Sequence, residues 1–69
     1  MLTASDHAYH ALHRSGWSIG DTAFARPPAV AWLVSGHNGE NLIRAEGRTR
    51  DEAWQAALDQ ARAVAMLAA

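Results

Sequence analysis

At 69 residues and with no cysteine, the chain reads as one small domain, residues 1–69, that neither a disulfide nor a thiolate metal site can reinforce. Six basic residues, all arginine, stand against seven acidic ones for a formal net charge of −1, which excludes the uniformly basic surface of a strong nonspecific nucleic-acid binder but not a local arginine patch. The hydrophobic fraction is 49%, yet much of it is alanine, so large apolar side chains are few and a partner subunit is a natural source of further burial.

Leu2 to Ser15 predicts an amphipathic helix, capped by Thr3 or Ser5, with Asp6 in its first turn and Gly16 closing it. Ala8, Ala11, Leu12 and Ser15 form its apolar stripe. His7, His10 and His13 lie on the other side at intervals of three. That spacing drifts around a helix and cannot bring all three to one ion, so the row reads as solvated or partner-facing and no metal site is expected. Trp17 to Ala25 predicts a first strand, in which Gly20 suggests a bulge. Arg26-Pro27-Pro28 interrupts it as a loop or corner.

Ala29 to Gly36 alternates as a second strand, with Val30, Trp32 and Val34 on one face and Ala31, Leu33 and Ser35 on the other. Asn38-Gly39 predicts a two-residue hairpin loop. That loop would set His37 against Glu40, Val34 against Ile43 and Trp32 against Ala45, with Asn41 to Glu46 as the third strand. One face then gathers Val30, Trp32, Val34, Ile43 and Ala45 around Trp32, and the other carries Leu33, His37, Glu40, Leu42, Arg44 and Glu46. After a Gly47 corner, Thr49-Arg50-Asp51-Glu52 is a capping box that opens a long helix to Ala69. Its apolar arc is centred on Ala53, Ala57, Ala61, Val64 and Ala68, flanked by Trp54 and Leu58 on one side and by Ala56 and Leu67 on the other. The expected fold is α+β, in the order α-β-β-β-α: a three-stranded antiparallel sheet with two helices packed on one face.

No catalytic pattern emerges, so the chain is not expected to be an enzyme and no cofactor is implied. Ser35, His37 and Glu40 cluster around the hairpin, but a nucleophile and base need held geometry and an oxyanion site, which an exposed turn lacks. Gly36, Gly39 and Gly47 lack the strand-glycine-helix order and the lysine of a phosphate loop. The expected interaction surface is Leu33 and Leu42 on the outer sheet face, with Trp54 and Leu58 placed to meet the first helix or another subunit. A homodimer or another protein is therefore the expected partner. Met1 to Ser5 lacks a basic start and an apolar run, so neither a signal peptide nor a membrane span is expected and the cytoplasm is the expected location.

The order helix, three antiparallel strands, long helix resembles the double-stranded RNA-binding domain. Ala45-Glu46-Gly47-Arg48-Thr49-Arg50-Asp51-Glu52-Ala53 is similar to that family's last strand, glycine corner and second-helix start. The resemblance implies RNA-facing residues at Arg26, Arg48 and Arg50 and along the His7 and His10 side of the first helix. Asp51 and Glu52 stand among these arginines, and Arg26-Pro27-Pro28 alone represents the family's glycine-proline-histidine loop. Over less than half the chain, Glu46-Gly47-Arg48-Thr49 and the Glu-Ala that follows also resemble the strand-to-helix corner of HicB-type antitoxins. Two functions are thus expected: a non-catalytic module that self-associates, and as the alternative a weak binder of double-stranded RNA.

Overall fold

The computed structural model describes residues 3–64. They form α1 (Ala4–Arg14), β1 (Ser18–Arg26), β2 (Ala29–Asn38), β3 (Asn41–Gly47) and α2 (Arg50–Ala63). The strands make one antiparallel sheet in the order β1-β2-β3, with both helices on one side, as the hydrophobic pattern implies.

Each helix begins where its capping chemistry places it. The Thr3 hydroxyl accepts the Asp6 amide at 3.1 Å, and the Asp6 carboxylate accepts the Thr3 amide at 3.0 Å. Ser5, the other candidate cap, instead lies buried in the first turn, where its amide and hydroxyl both donate to Asp51 Oδ1. A carboxylate from the start of α2 thereby satisfies an orphan amide at the start of α1. Thr49 caps α2 by accepting the Glu52 amide at 3.1 Å, while the Glu52 carboxylate accepts from the Thr49 hydroxyl at 3.4 Å rather than from its amide. Val64 is the C-cap of α2 and is 48% exposed, so it is not part of the apolar arc. Leu67 and Ala68 lie outside the described residues.

The core joins Ala8 and Leu12 of α1 to Ile19, Val34, Ile43 and Ala45 of the sheet and to Ala53, Trp54, Ala57, Leu58 and Ala61 of α2, with Trp17 just ahead of β1. Trp17 and Trp54 are the fully enclosed tryptophans; Trp32, expected at the centre, packs half-buried at the rim. The register explains the displacement. The hairpin turns at Gly39-Glu40 instead of Asn38-Gly39, so Asn38 pairs with Asn41, His37 with Leu42, Val34 with Ala45 and Trp32 with Gly47. A slip of one residue would have inverted β3, but this slip is even and the predicted faces survive. It moves Trp32 opposite the last residue of β3, beyond the middle of the helix layer. Asn38 is unavailable as a turn residue because its side-chain amide donates to the Ser15 carbonyl at 3.1 Å, which ties the hairpin to the end of α1. Gly39, with φ of 63°, supplies the left-handed conformation the turn requires.

The expected bulge at Gly20 is absent. The β1–β2 ladder runs without interruption from Ser18 opposite His37 to Arg26 opposite Ala29. Pro27-Pro28, joined by a cis peptide bond, is a two-residue turn where neither proline has to donate to the ladder.

The approach of α2 to β3 is close. A Cβ on Gly47 would lie 2.5 Å from the Ala53 nitrogen and 2.8 Å from the Glu52 Cβ. Ala45 faces Ala53, Ala57 and Ala61 across this contact, all of them buried. At that separation Gln60 reaches the strand: its Oε1 accepts the Arg44 amide at 3.1 Å and its Nε2 donates to the Arg44 carbonyl at 2.9 Å. Among the described residues no helix is long and apolar enough to cross a membrane.

Gly47→Ala should therefore destabilise the fold by about 1–3 kcal/mol, the usual cost of overpacking. Gly20→Ala, where nothing lies within 4 Å of the added carbon, should change stability by less than about 0.5 kcal/mol. Urea denaturation of the two variants measures the contrast, and equal midpoints would contradict the packing described.

Candidate functional site

Sequence reasoning names two sets of surface residues, and the structure divides both. Arg26 and Arg48 do come together. They line a groove of about 660 Å³ beneath the Pro27-Pro28 turn, walled by Val30 and Ala31 of β2, by Glu46 and Gly47 at the end of β3, and by Glu52 of α2. Arg26 is already engaged, 3.0 Å from Glu46 and stacked 5.2 Å above the centre of the Phe24 ring. Among the described residues Arg48 has no ion-pair partner. Arg50 turns away from the groove, towards β1, and His7 and His10 are exposed on α1 outside its lining.

Arg50 is drawn away by Asp21, a residue that sequence reasoning passes over. Asp21 lies on the helix side of β1, across from Val34. Its Oδ2 accepts from the Trp54 indole nitrogen at 2.9 Å and from Arg50 Nε at 2.5 Å. Burial, the largest single influence, pushes this carboxyl up, but the hydrogen bonds from Trp54 and Arg50 together with the Arg50 charge outweigh it and leave its pKa below the ordinary value. The Arg50 guanidinium is raised in turn, chiefly by the hydrogen bond to Asp21. Trp54 carries the signal that points here, because a buried indole N–H needs an acceptor and an acid on a core-facing strand position provides one.

The proposed interaction surface is also revised. Leu42 is 77% exposed and Leu33 is half-buried, both on the side of the sheet that no helix covers. Trp54 and Leu58 are 1% and 8% exposed, so they meet the first helix and are closed to another subunit. The Trp54 ring stands edge-on to Tyr9 with centroids 5.7 Å apart. Phe24 takes a place in the surface that reasoning from sequence did not assign to it. It lies across from Ala31 on the outer face, and Ala31 is buried there without belonging to the main core.

The two sheet edges differ. Two-residue turns close on hydrogen-bonded pairs, and hydrogen-bonded and open pairs alternate along an antiparallel ladder. Counting back from Arg26 opposite Ala29, the backbone groups of Ile19, Asp21, Ala23 and Ala25 point away from β2. Counting from Asn38 opposite Asn41, those of Leu42, Arg44 and Glu46 point outward from β3. Gln60 covers Arg44 at the β3 edge. At the β1 edge, the His13 Nε2 lies 3.2 Å from the Ile19 carbonyl. Ala23 and Ala25, both exposed, are hydrogen-bonded by no side chain among the described residues.

Of the Ser35, His37 and Glu40 set, Ser35 pairs with Arg44, His37 with Leu42, and Glu40 lies in the turn. Among the described residues no group of three or more histidine, cysteine, aspartate or glutamate side chains is placed to hold a metal ion. A scan against protein-family models, a search of curated proteins and a search of solved structures each found no match. The functional reading therefore rests on geometry and charge.

The Asp21 site predicts a pH dependence. A carboxyl whose folded pKa lies below its ordinary 3.8 contributes stability that is present above that value and is lost as pH falls from it through the lower folded pKa. Asp6, held low chiefly by the Thr3 amide, acts in the same direction. Urea denaturation between about pH 6 and about pH 3 should show stability falling with pH, and Asp21→Asn should flatten part of that fall. Equal slopes for the two proteins would contradict the assignment.

Proposed function

We propose that the chain is a non-catalytic, cytoplasmic interaction module that self-associates. The observation that supports this reading is the uncovered sheet: Phe24, Leu33 and Leu42 lie on a face without helices, beside a β1 edge left open at Ala23 and Ala25. The energetics point the same way. Ala8, Ala45, Ala53, Ala57 and Ala61 account for much of the core and bury little area. A fully buried large side chain contributes about 1.5–3 kcal/mol, against about 1–2 kcal/mol of backbone entropy for each ordered residue. In a domain so balanced, the area buried by a second copy adds a large share of the net stability. Sedimentation equilibrium from about 10 µM to about 1 mM, the range of weak association, should show mass rising from monomer towards dimer. A clean monomer throughout would refute the reading.

A second reading, weak binding of double-stranded RNA, is favoured by the convergence of Arg26 and Arg48 on one groove beside the β1–β2 turn and the start of α2. Charge weighs against it, since Glu46 and Glu52 line the same groove and Asp21 holds Arg50. Titration at low salt with a duplex of about 16–20 base pairs tests it. Shifts at the Arg26 and Arg48 signals are the supporting result, and their absence ends the reading.

A further inference from the structure

We infer that the second copy docks on the hairpin half of β1, pairing antiparallel with its twin so that Ala23 of each protomer faces Ala25 of the other. The inference rests on the self-association reading and adds the surface and the register to it.

The free groups select both. On β3 the middle of the edge is occupied by Gln60, whose amide takes the Arg44 N–H and C=O as a neighbouring strand would. The outward groups of Leu42 and Glu46 on either side of it are thereby separated and offer no continuous run. On β1 the half nearest α1 is screened by His13 at the Ile19 carbonyl, and the Asp21 side chain is committed to Arg50 and Trp54. Among the described residues, the two consecutive outward positions of β1 that stay open are Ala23 and Ala25. Their side chains are small, and this stretch has none of the devices that ordinarily blunt an edge, such as a lysine, a proline or a bulge. A partner able to satisfy alternating N–H and C=O groups there is another extended strand. The same stretch of a second molecule fits because setting Ala23 against Ala25 pairs open groups with open groups and asks nothing of Ile19 or Asp21.

This register is also compatible in charge and shape. It places the two-fold axis at Phe24, so the Phe24 side chains meet directly across an open pair at about 4.5–5.5 Å between Cβ atoms, the spacing at which aromatic cross-strand pairs stabilise sheets. Thr22 falls opposite Arg26 of the partner, no like charges stand opposite one another, and the Arg26–Glu46 ion pair is left intact. The two outer faces then join into one six-stranded surface with Leu33 of each copy flanking the Phe24 pair. An edge contact of this extent buries less than the roughly 1,200 Å² of a stable interface, so the dimer forms at micromolar or higher concentration.

Amide hydrogen exchange on the full chain, followed residue by residue by NMR across a concentration series with sedimentation in parallel, tests the inference. The expected result is that the Ala23 and Ala25 amides exchange freely in dilute monomer and gain protection in step with the dimer fraction. Ala23→Pro, which removes one of these donors, should weaken dimerisation about tenfold or more while far-UV circular dichroism stays that of the folded monomer. Should that variant fail to fold, exchange in the unaltered chain still decides. A dimer whose Ala23 and Ala25 amides stay unprotected would overturn the edge pairing and leave self-association standing. A chain monomeric at every concentration would overturn both.

Discussion

The contact between α2 and β3 is the constraint on which the rest of the structure depends. Gly47 has no side chain because the Ala53 nitrogen occupies the space a Cβ would need. Ala45, Ala53, Ala57 and Ala61 continue that close seam along the helix. Small residues on both surfaces contribute little area themselves, but they set the helix low enough on the sheet for its other groups to act. Gln60 reaches past the last strand and completes its edge. One turn and a half earlier, Trp54 is pressed between the helices and the sheet, with its indole N–H delivered to Asp21. Asp51, at the start of the same helix, holds the first turn of α1. A single close seam thus positions the other helix, one sheet edge and the main buried polar contact.

Much of this was legible in the residues. The Thr3 and Thr49 caps mark both helix starts, the alternation in β2 and β3 identifies the buried face, and the alanine arc of α2 finds its core side. The elements lost to sequence reasoning share a physical cause, namely a side chain claimed by a distant partner. Asn38-Gly39 has the local chemistry of a hairpin turn, but Asn38 is held by the Ser15 carbonyl and the turn moves one residue on. Arg50 looks like a companion of Arg48 until Asp21, far away in the chain, takes its guanidinium. Trp54 and Leu58 look like a flank with room for a partner, yet α1 packs over them and closes it. The interaction surface was therefore only partly visible in advance: Leu33 and Leu42 lie on the open face, whereas Phe24 and the free edge beside it depend on pairings that composition does not encode.

The charge arrangement narrows what the surface can do. Three of the six arginines are matched, Arg26 by Glu46, Arg50 by Asp21 and Arg62 by Asp59. Exposed pairs of this kind add little stability, but they lower the positive potential that binding a polyanion draws on. The surface left over is mixed and partly apolar, and among the described residues its consecutive open backbone positions are Ala23 and Ala25 of β1. That combination is better suited to another strand than to a phosphate backbone.

The two sheet edges are unequal, β3 being interrupted at Arg44 by Gln60 and β1 open at Ala23 and Ala25. Amide exchange in dilute solution, where any dimer is dissociated, reads this inequality directly. The expected result is a slowly exchanging Arg44 amide that becomes fast in Gln60→Ala, beside Ala23 and Ala25 amides that are fast in both proteins. An Arg44 amide as labile as that of Ala23 in the unaltered chain would contradict it.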